Sequence, residues 1–318
     1  MGQDKNTRPA ALTEALRRLL EETVGEAART VRRIGRGQDY EAWEAALPSG
    51  RRLIVRLVTA GAASLADEAW AIEQAREAGV PVPAVRTLQD IATERGPRPA
   101  MVQDMASGEP LSDVAASLTK AFRGWAQEEA GAMLRQMHGI PAGGFWQRHD
   151  GRWDFPTWEA FMEVMRRDRG RERPLYRAAG FTEEEVARMV RALDRLADEH
   201  RYPTPVLCHG DFVSEHVYVD PTGHVTALID LGSFHGGAGL GDLALALEDP
   251  LWDSPAFLSG YYGHPIPVGY REPAVRLHAL ASAMGHLGYA MKQGKTEEIR
   301  RYTARLHQRL REVDALVP

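Results

Sequence analysis

The chain has 318 residues, 44% hydrophobic and 26% charged, with a single cysteine at position 208 and a net charge of −5. That length holds one large or two moderate domains with ample core. The lone Cys208 excludes an intramolecular disulfide framework and four-cysteine zinc sites, the charge gives no basic footprint for nucleic acid, and no apolar run approaches the ~18 residues of a membrane span.

The opening "MGQDKNTRPAALTEALRRLL" has no apolar signal core, and Asn6 stands where a myristoylation motif carries Ser or Thr. A cytoplasmic protein with no membrane partner is the expectation. Residues 11–28 repeat apolar side chains at helical spacing. "IGRGQDYEAWEAALPSGRRLIVRL" then reads as strand, glycine-containing loop, strand, turn and strand. Residues 64–78 read as a helix, with Ser64 as N-cap and Gly79 and Pro81 as the stop. "PAVRTL" and "PAMVQDM" are short strands flanking a charged loop, "QDIATERGPR". The small-residue break "ASGEP" follows, and the pattern changes to helix over 111–138, 157–169 and 182–200. A β section over 206–230 interrupts the helical half, which resumes at 240–249, 271–292 and 296–313. Strands first and helices second predict an α+β fold of two lobes: residues 1–103, a hinge at 104–110, and residues 111–318.

The chemistry concentrates in "LCHGDFVSEHVYVDPTGHVTALID", residues 207–230. Two apolar strands around "DPTG" predict a hairpin. Its outer ends are His216 and Asp230, so these ligand-type residues should be neighbours although distant in sequence. Asp211 precedes His216 by five residues, in a loop. Phosphoryl transfer needs such a set: a carboxylate to orient the attacking hydroxyl, and ligands that hold a divalent cation against the phosphates.

Here the sequence resembles the aminoglycoside phosphotransferase and choline-kinase branch of the protein-kinase-like fold. That branch commonly reads His-Gly-Asp in this loop, as at His209, Gly210 and Asp211, and carries its second metal carboxylate after the hairpin, as at Asp230. The Gly-Asp pair that opens a following helix there matches Gly241 and Asp242. The family's Ile-Asp-aromatic run loses its aromatic at Leu231, and its usual Asn is His216, as in the macrolide phosphotransferases. Arg56 in "LIVRL" matches the family's phosphate-contacting cation, Glu68 the helix glutamate that positions it, and "QDYEAW" a stretch of the macrolide enzymes. The resemblance covers residues 30 to 262. It implies a small N-lobe covering the nucleotide, with Gly35 and Gly37 in the phosphate loop and backbone around Gln103 and Met105 at the base. It further implies Asp211 as catalytic residue, His216 and Asp230 on Mg2+, and ATP or GTP as donor. The acceptor is a hydroxyl-bearing small molecule, antibiotic inactivation the biology, and a macrolide or nucleoside antibiotic the favoured substrate.

The favoured substrate follows from charge. Residues 150–201 carry 12 acids against 11 arginines, and residues 248–318 carry 8 acids against 9 bases, so the helical half lacks the carboxylate excess that a polycation requires. Trp153, Phe155, Trp158 and Phe161 read mainly as core, with one or two rings available to wall a bulky ligand. His138 reads as packing, His209 as a brace of the loop, and His235 receives no role. Imidazole at His216 is a softer ligand than magnesium prefers. A metal-dependent hydrolase using His209, Asp211, His216 and Asp230 therefore stays open, as do an aminoglycoside or metabolite kinase of the same family and a nucleotide-binding protein that transfers nothing.

Overall fold

The computed structural model describes residues 7–36, 40–59, 64–94, 96–264 and 273–315. Contacts divide the chain into two compact units, one of residues 1–118, 149–152 and 215–232, the other of residues 119–148, 153–214 and 233–318.

The first unit begins with helix α1 (Thr7–Val24), strands β1 (Thr30–Arg36), β2 (Tyr40–Ala46) and β3 (Arg52–Val58), helix α2 (Leu65–Glu77), strands β4 (Val85–Thr93) and β5 (Gly96–Asp104), a two-residue strand β6 (Glu109–Pro110) and a short helix α3 (Leu111–Val114). The five long strands form one antiparallel sheet in the order β1-β2-β3-β5-β4. Strict alternation in β3 buries Leu53, Val55 and Leu57. They pack with Leu16, Leu19 and Leu20 of α1. Because side chains in a strand alternate between faces, Arg56 leaves the sheet on the side opposite that core.

The chain then enters the second unit through α4 (Lys120–Met137), β7 (Phe145–His149), β8 (Arg152–Phe155), α5 (Trp158–Arg171), α6 (Arg173–Ala178), α7 (Glu183–Glu199) and β9 (Val206–Cys208). It rejoins the first unit for β10 (Val217–Val219) and β11 (Val225–Leu228), and ends in the second with β12 (His235–Gly237), α8 (Gly239–Ala246), α9 (Pro255–Tyr262), α10 (Pro273–Gln293) and α11 (Thr296–Asp314). The helical core of the second unit joins Trp158, Met162, Tyr176, Leu193, Met284 and Leu306, among others. No helix among the described residues is long and apolar enough to cross a membrane.

The α+β class and most elements follow the sequence reading, and the differences are local. The expected charged loop at 89–98 is instead the β4–β5 hairpin, with Asp90 paired to Pro99 and Ile91 to Arg98. β4 lies at the sheet edge and buries only Ile91, so its solvent-facing polar residues hide a strand pattern. The expected helix 111–138 is broken, because the Thr119 side chain accepts from Phe122 N and starts α4 afresh. Strands β6, β7, β8 and β12 and helices α6 and α9 have no counterpart in the sequence reading.

Candidate active site

In the first unit, strand pairing and one helix gather four side chains. Ser64 caps α2 by accepting from Asp67 N, and the helix carries Glu68 inward, 2% exposed. Arg56 hydrogen-bonds and ion-pairs with Glu68. Its guanidinium also lies 4.4 Å from the Tyr40 ring centroid, a cation–π contact made possible because Arg56 pairs with Ala42 across β2–β3. Arg56 Nη2 stands 3.5 Å from Asp230 Oδ1.

The hairpin brings its ends together as its pattern requires. Val217 pairs with Leu228, Tyr218 with Ala227 and Val219 with Val225, and Ile229 N donates to His216 O at 3.0 Å. The turn is fixed by Asp220, whose carboxylate accepts from Thr222 N at 2.8 Å and His224 N at 3.1 Å. His216 Nε2 and Asp230 Oδ2 consequently lie 3.7 Å apart. Asp230 adopts φ 61°, a left-handed conformation that is uncommon outside glycine and recurs at functional sites.

Burial pushes the Glu68 carboxyl up to about 7, against the pull of Arg56 and with the Asp230 charge adding to the rise. Glu68 Oε2 is buried and has no hydrogen-bond partner among the described residues. An unsatisfied buried oxygen that feels the charge of a neighbouring carboxylate, Asp230, marks a site with spare acceptor capacity. Asp230 and His216 stand at a spacing that two ligands of one cation can share, so the donor set fits a divalent ion. The carboxylate suits magnesium, and the imidazole extends the range toward softer metals.

In the second unit, one carboxylate organises the His-Gly-Asp loop. Asp242, on α8 and fully buried, accepts from His209 N at 2.7 Å and Gly210 N at 2.9 Å. His138 Nε2 lies 3.1 Å from the same carboxylate, with Tyr261 OH 2.9 Å from its Nδ1. Burial opposes ionisation of Asp242, but the hydrogen bond and charge of His138 prevail and hold its carboxyl well below the usual range. Gly210 has φ 80°, and a Cβ there would meet Ser233 O at 2.1 Å, so only glycine fits. His209 is fully buried, its Nδ1 accepting from Asp211 N at 3.2 Å. Further on, Ser214 N donates to Asp249 Oδ2 at 2.7 Å and Trp252 Nε1 to Phe212 O at 3.0 Å. The loop backbone is thus tied at both ends, while Asp211 itself is exposed.

The remaining expected positions are more scattered. Gly35 sits at a bulge in β1, and Gly37 lies outside the described residues. Gln103 pairs with Ile54 and Val85 near the end of β5. Asp104 N and Met105 N donate to Ala84 O and Arg52 O, so both donors are engaged at the sheet end. Sequence reasoning missed Tyr40, Asp249, Trp252 and the anchoring role of Asp242. It also missed Asp67, which accepts from Asp150 N at 2.8 Å and Gly151 N at 3.0 Å.

A family model, the phosphotransferase enzyme family APH, matches residues 30–276. The chain belongs to this family. No curated protein matches it. Among solved structures, a ternary complex of a thermostable mutant of aminoglycoside phosphotransferase APH(4)-Ia with ADP and hygromycin B superposes with a TM-score of 0.70 at 18% identity, covering 93% of this chain and 98% of that one. The GDP complex of wild-type aminoglycoside 2'-phosphotransferase-IIIa gives 0.64 at 13% identity, covering 94% and 99%. A putative fructosamine-3-kinase from Thermobifida fusca YX-ER1 gives 0.61 at 22%, covering 91% and 98%. These likenesses establish the two-lobed kinase-like fold.

Proposed function

We propose that this member of the phosphotransferase enzyme family moves the terminal phosphate of ATP or GTP to a hydroxyl of an antibiotic-like natural product, and so inactivates it. The observation that carries the reading is the cluster of Arg56, Glu68, His216 and Asp230 in the first unit. A cation flanked by acids, with a buried oxygen still lacking a partner, is suited to binding polyphosphate together with a metal ion.

Arg56, fixed by Glu68 and Tyr40, contacts the nucleotide phosphates, its planar fork suited to two oxygens at once. Asp230 and His216 hold Mg2+, which when bound neutralises phosphate charge. Backbone carbonyls around Gln103–Met105 meet the base, since the Asp104 and Met105 amides are engaged at the sheet end. Asp211, exposed on a braced loop, accepts a hydrogen bond from the acceptor hydroxyl and takes its proton as the new O–P bond forms. The bond from the terminal phosphorus to the departing nucleoside diphosphate breaks in the same step. Engagement of His209 Nδ1 by Asp211 N makes that imidazole a loop brace, which favours this reading over the hydrolase.

The APH(4)-Ia complex contains hygromycin B, so an aminoglycoside acceptor is the second reading. The near balance of charge over 150–201 and 248–318 favours a macrolide or nucleoside antibiotic instead. A panel of hydroxyl-bearing antibiotics incubated with ATP or GTP, with mass detection of an added phosphate, tests the proposal. Macrolides or nucleoside antibiotics should gain phosphate. Kanamycin-type compounds modified alone would reverse the acceptor, and nucleotide-independent cleavage of esters or amides would reverse the reaction class.

A further inference from the structure

The second unit contains a cavity of about 950 Å³ walled by Trp146, Phe155, Phe161 and Met165. That volume is at the upper end for small-molecule sites, which are typically apolar with a few polar groups. Trp146 is its unusual member. Its backbone is left-handed, with φ 70°, a conformation in which a bulky residue is strained. Its indole is 41% exposed, stacks on Phe161 with ring centroids 5.6 Å apart, and tilts against His235 at 5.8 Å.

The sheet order β8-β7-β12-β9 links this ring to the loop that carries Asp211. Trp146 on β7 pairs with Gly236 of β12, and His235 of β12 pairs with Cys208 of β9, which runs directly into His209, Gly210 and Asp211. A Cβ placed at Gly210 would lie 3.0 Å from His235 Nδ1. The indole is therefore separated from that loop by one imidazole.

The charge lining the cavity is already balanced. Glu172 accepts from Arg169 at 2.5 Å, Lys292 at 2.6 Å and Tyr176 OH at 2.8 Å. Asp168 is paired with Arg167 at 3.3 Å and Arg171 at 3.8 Å, and Asp154 accepts from Gln147 N at 3.3 Å. A molecule with several ammonium groups would lose its hydration there without gaining uncompensated carboxylates. A molecule with a broad apolar face would bury it against rings already in place.

Resting on the phosphotransferase reading above, we infer that Trp146 is a specificity-determining residue for the acceptor. Its indole is the platform for the acceptor's apolar ring face, and the cavity selects molecules with such a face and at most one cationic group. The strain at Trp146 is consistent with this, since a left-handed position is otherwise best filled by glycine.

The test is steady-state kinetics of the full chain with erythromycin, which has one amine, and kanamycin, which has several. Trp146→Gly removes the ring and suits the backbone, so folding is preserved; Trp146→Phe restores an aromatic face. The glycine variant should raise the KM for erythromycin at least about tenfold, the order of one lost stacking contact. The KM for nucleotide should hold, the thermal transition should stay cooperative, with relief of the left-handed strain offsetting part of the packing lost against Phe161 and His235, and the phenylalanine variant should recover most of the affinity. An unchanged erythromycin KM in Trp146→Gly, or wild-type preference for kanamycin, overturns the inference while leaving phosphotransfer intact. A wild type that phosphorylates neither compound nor any other in the panel sinks the phosphotransferase reading itself, and the inference with it.

Discussion

Asp230 and Asp242 lie close in sequence, yet the fold treats them as opposites. Asp242 is fully buried and saturated by two backbone amides and an imidazole. Asp230 has a side chain 47% exposed, with the Arg56 guanidinium at 3.5 Å and the His216 imidazole at 3.7 Å. Its backbone is left-handed, whereas Asp242 lies in the first turn of α8. Ligand-type residues alone do not distinguish them. His138, Cys208 and Asp242 place ligand atoms within 4.8 Å of one another, but burial pushes the Cys208 thiol well up, and the lone pairs of Asp242 are committed to the loop. A carboxylate whose donors are complete braces the structure. One held open in a strained conformation is available to a ligand.

The comparison can be broken or sharpened by substitution. The largest expected effect belongs to the residue that the brace supports: Asp211→Asn should lower turnover by roughly 10²–10⁴-fold while leaving nucleotide affinity and the thermal midpoint near wild type. Wild-type turnover in that variant would remove Asp211 from the reaction. Next comes the brace itself. Asp242→Ala leaves buried donors unpaired and should cost about 3–5 kcal/mol in chemical denaturation; a loss under about 1 kcal/mol would mean that the loop is held by other groups.

A pH effect follows from Glu68. Its folded value, about 7, lies above its ordinary 4.5, so the folded state holds the proton longer than the unfolded chain does. The contribution of Glu68 to stability should therefore be fully present below 4.5, fall as pH rises from 4.5 to about 7, and level off above. Glu68→Gln should lack this slope, as denaturant titrations of both proteins across the window would show. Parallel curves for the two would place the titration elsewhere.

Asp230→Gly should uncouple stability from function. Glycine relieves the left-handed strain and removes a charge that opposes Glu68, so stability should stay within about 1 kcal/mol of wild type or exceed it, while metal-dependent nucleotide binding is lost. The smallest effect is expected at His216→Asn, since a neutral oxygen is an acceptable magnesium ligand. Activity with Mg2+ should remain within about tenfold of wild type, equivalent to about 1.4 kcal/mol. A protein that loses its metal on His216→Asn but keeps it on Asp230→Gly would reverse the assignment.

Much of this was legible in the sequence because it is local. Alternation in "RLIVRLV" set the inward face of β3 and hence the side from which Arg56 emerges. The hairpin around "DPTG" determined that His216 and Asp230 would meet. Ser64 is an N-cap in both sequence pattern and structure. Two misses were legible in principle. Asp150 and Gly151 have φ of 47° and 82°, and Asp-Gly between alternating residues is a strong hairpin signal. Ser254 and Pro255 stand at the N-cap and first turn of α9, a recognisable helix start. Other features depend on long-range contacts. That Asp242 would reach the amides of His209 and Gly210 depends on how α8 packs, and the cation–π contact of Tyr40 with Arg56 on strand register. Trp146, left-handed in its backbone, pairs with a glycine far along the chain.

The central claim is that the open carboxylate, Asp230, belongs to a metal-assisted nucleotide site. Equilibrium titration of the full chain with ADP and with a non-hydrolysable ATP or GTP analogue, with and without Mg2+, measures it directly when wild type and Asp230→Gly are run side by side. The account predicts saturable binding that strengthens with Mg2+ in the wild type and loses that metal dependence in the variant. Binding that ignores Mg2+, or that is the same in both proteins, would contradict it.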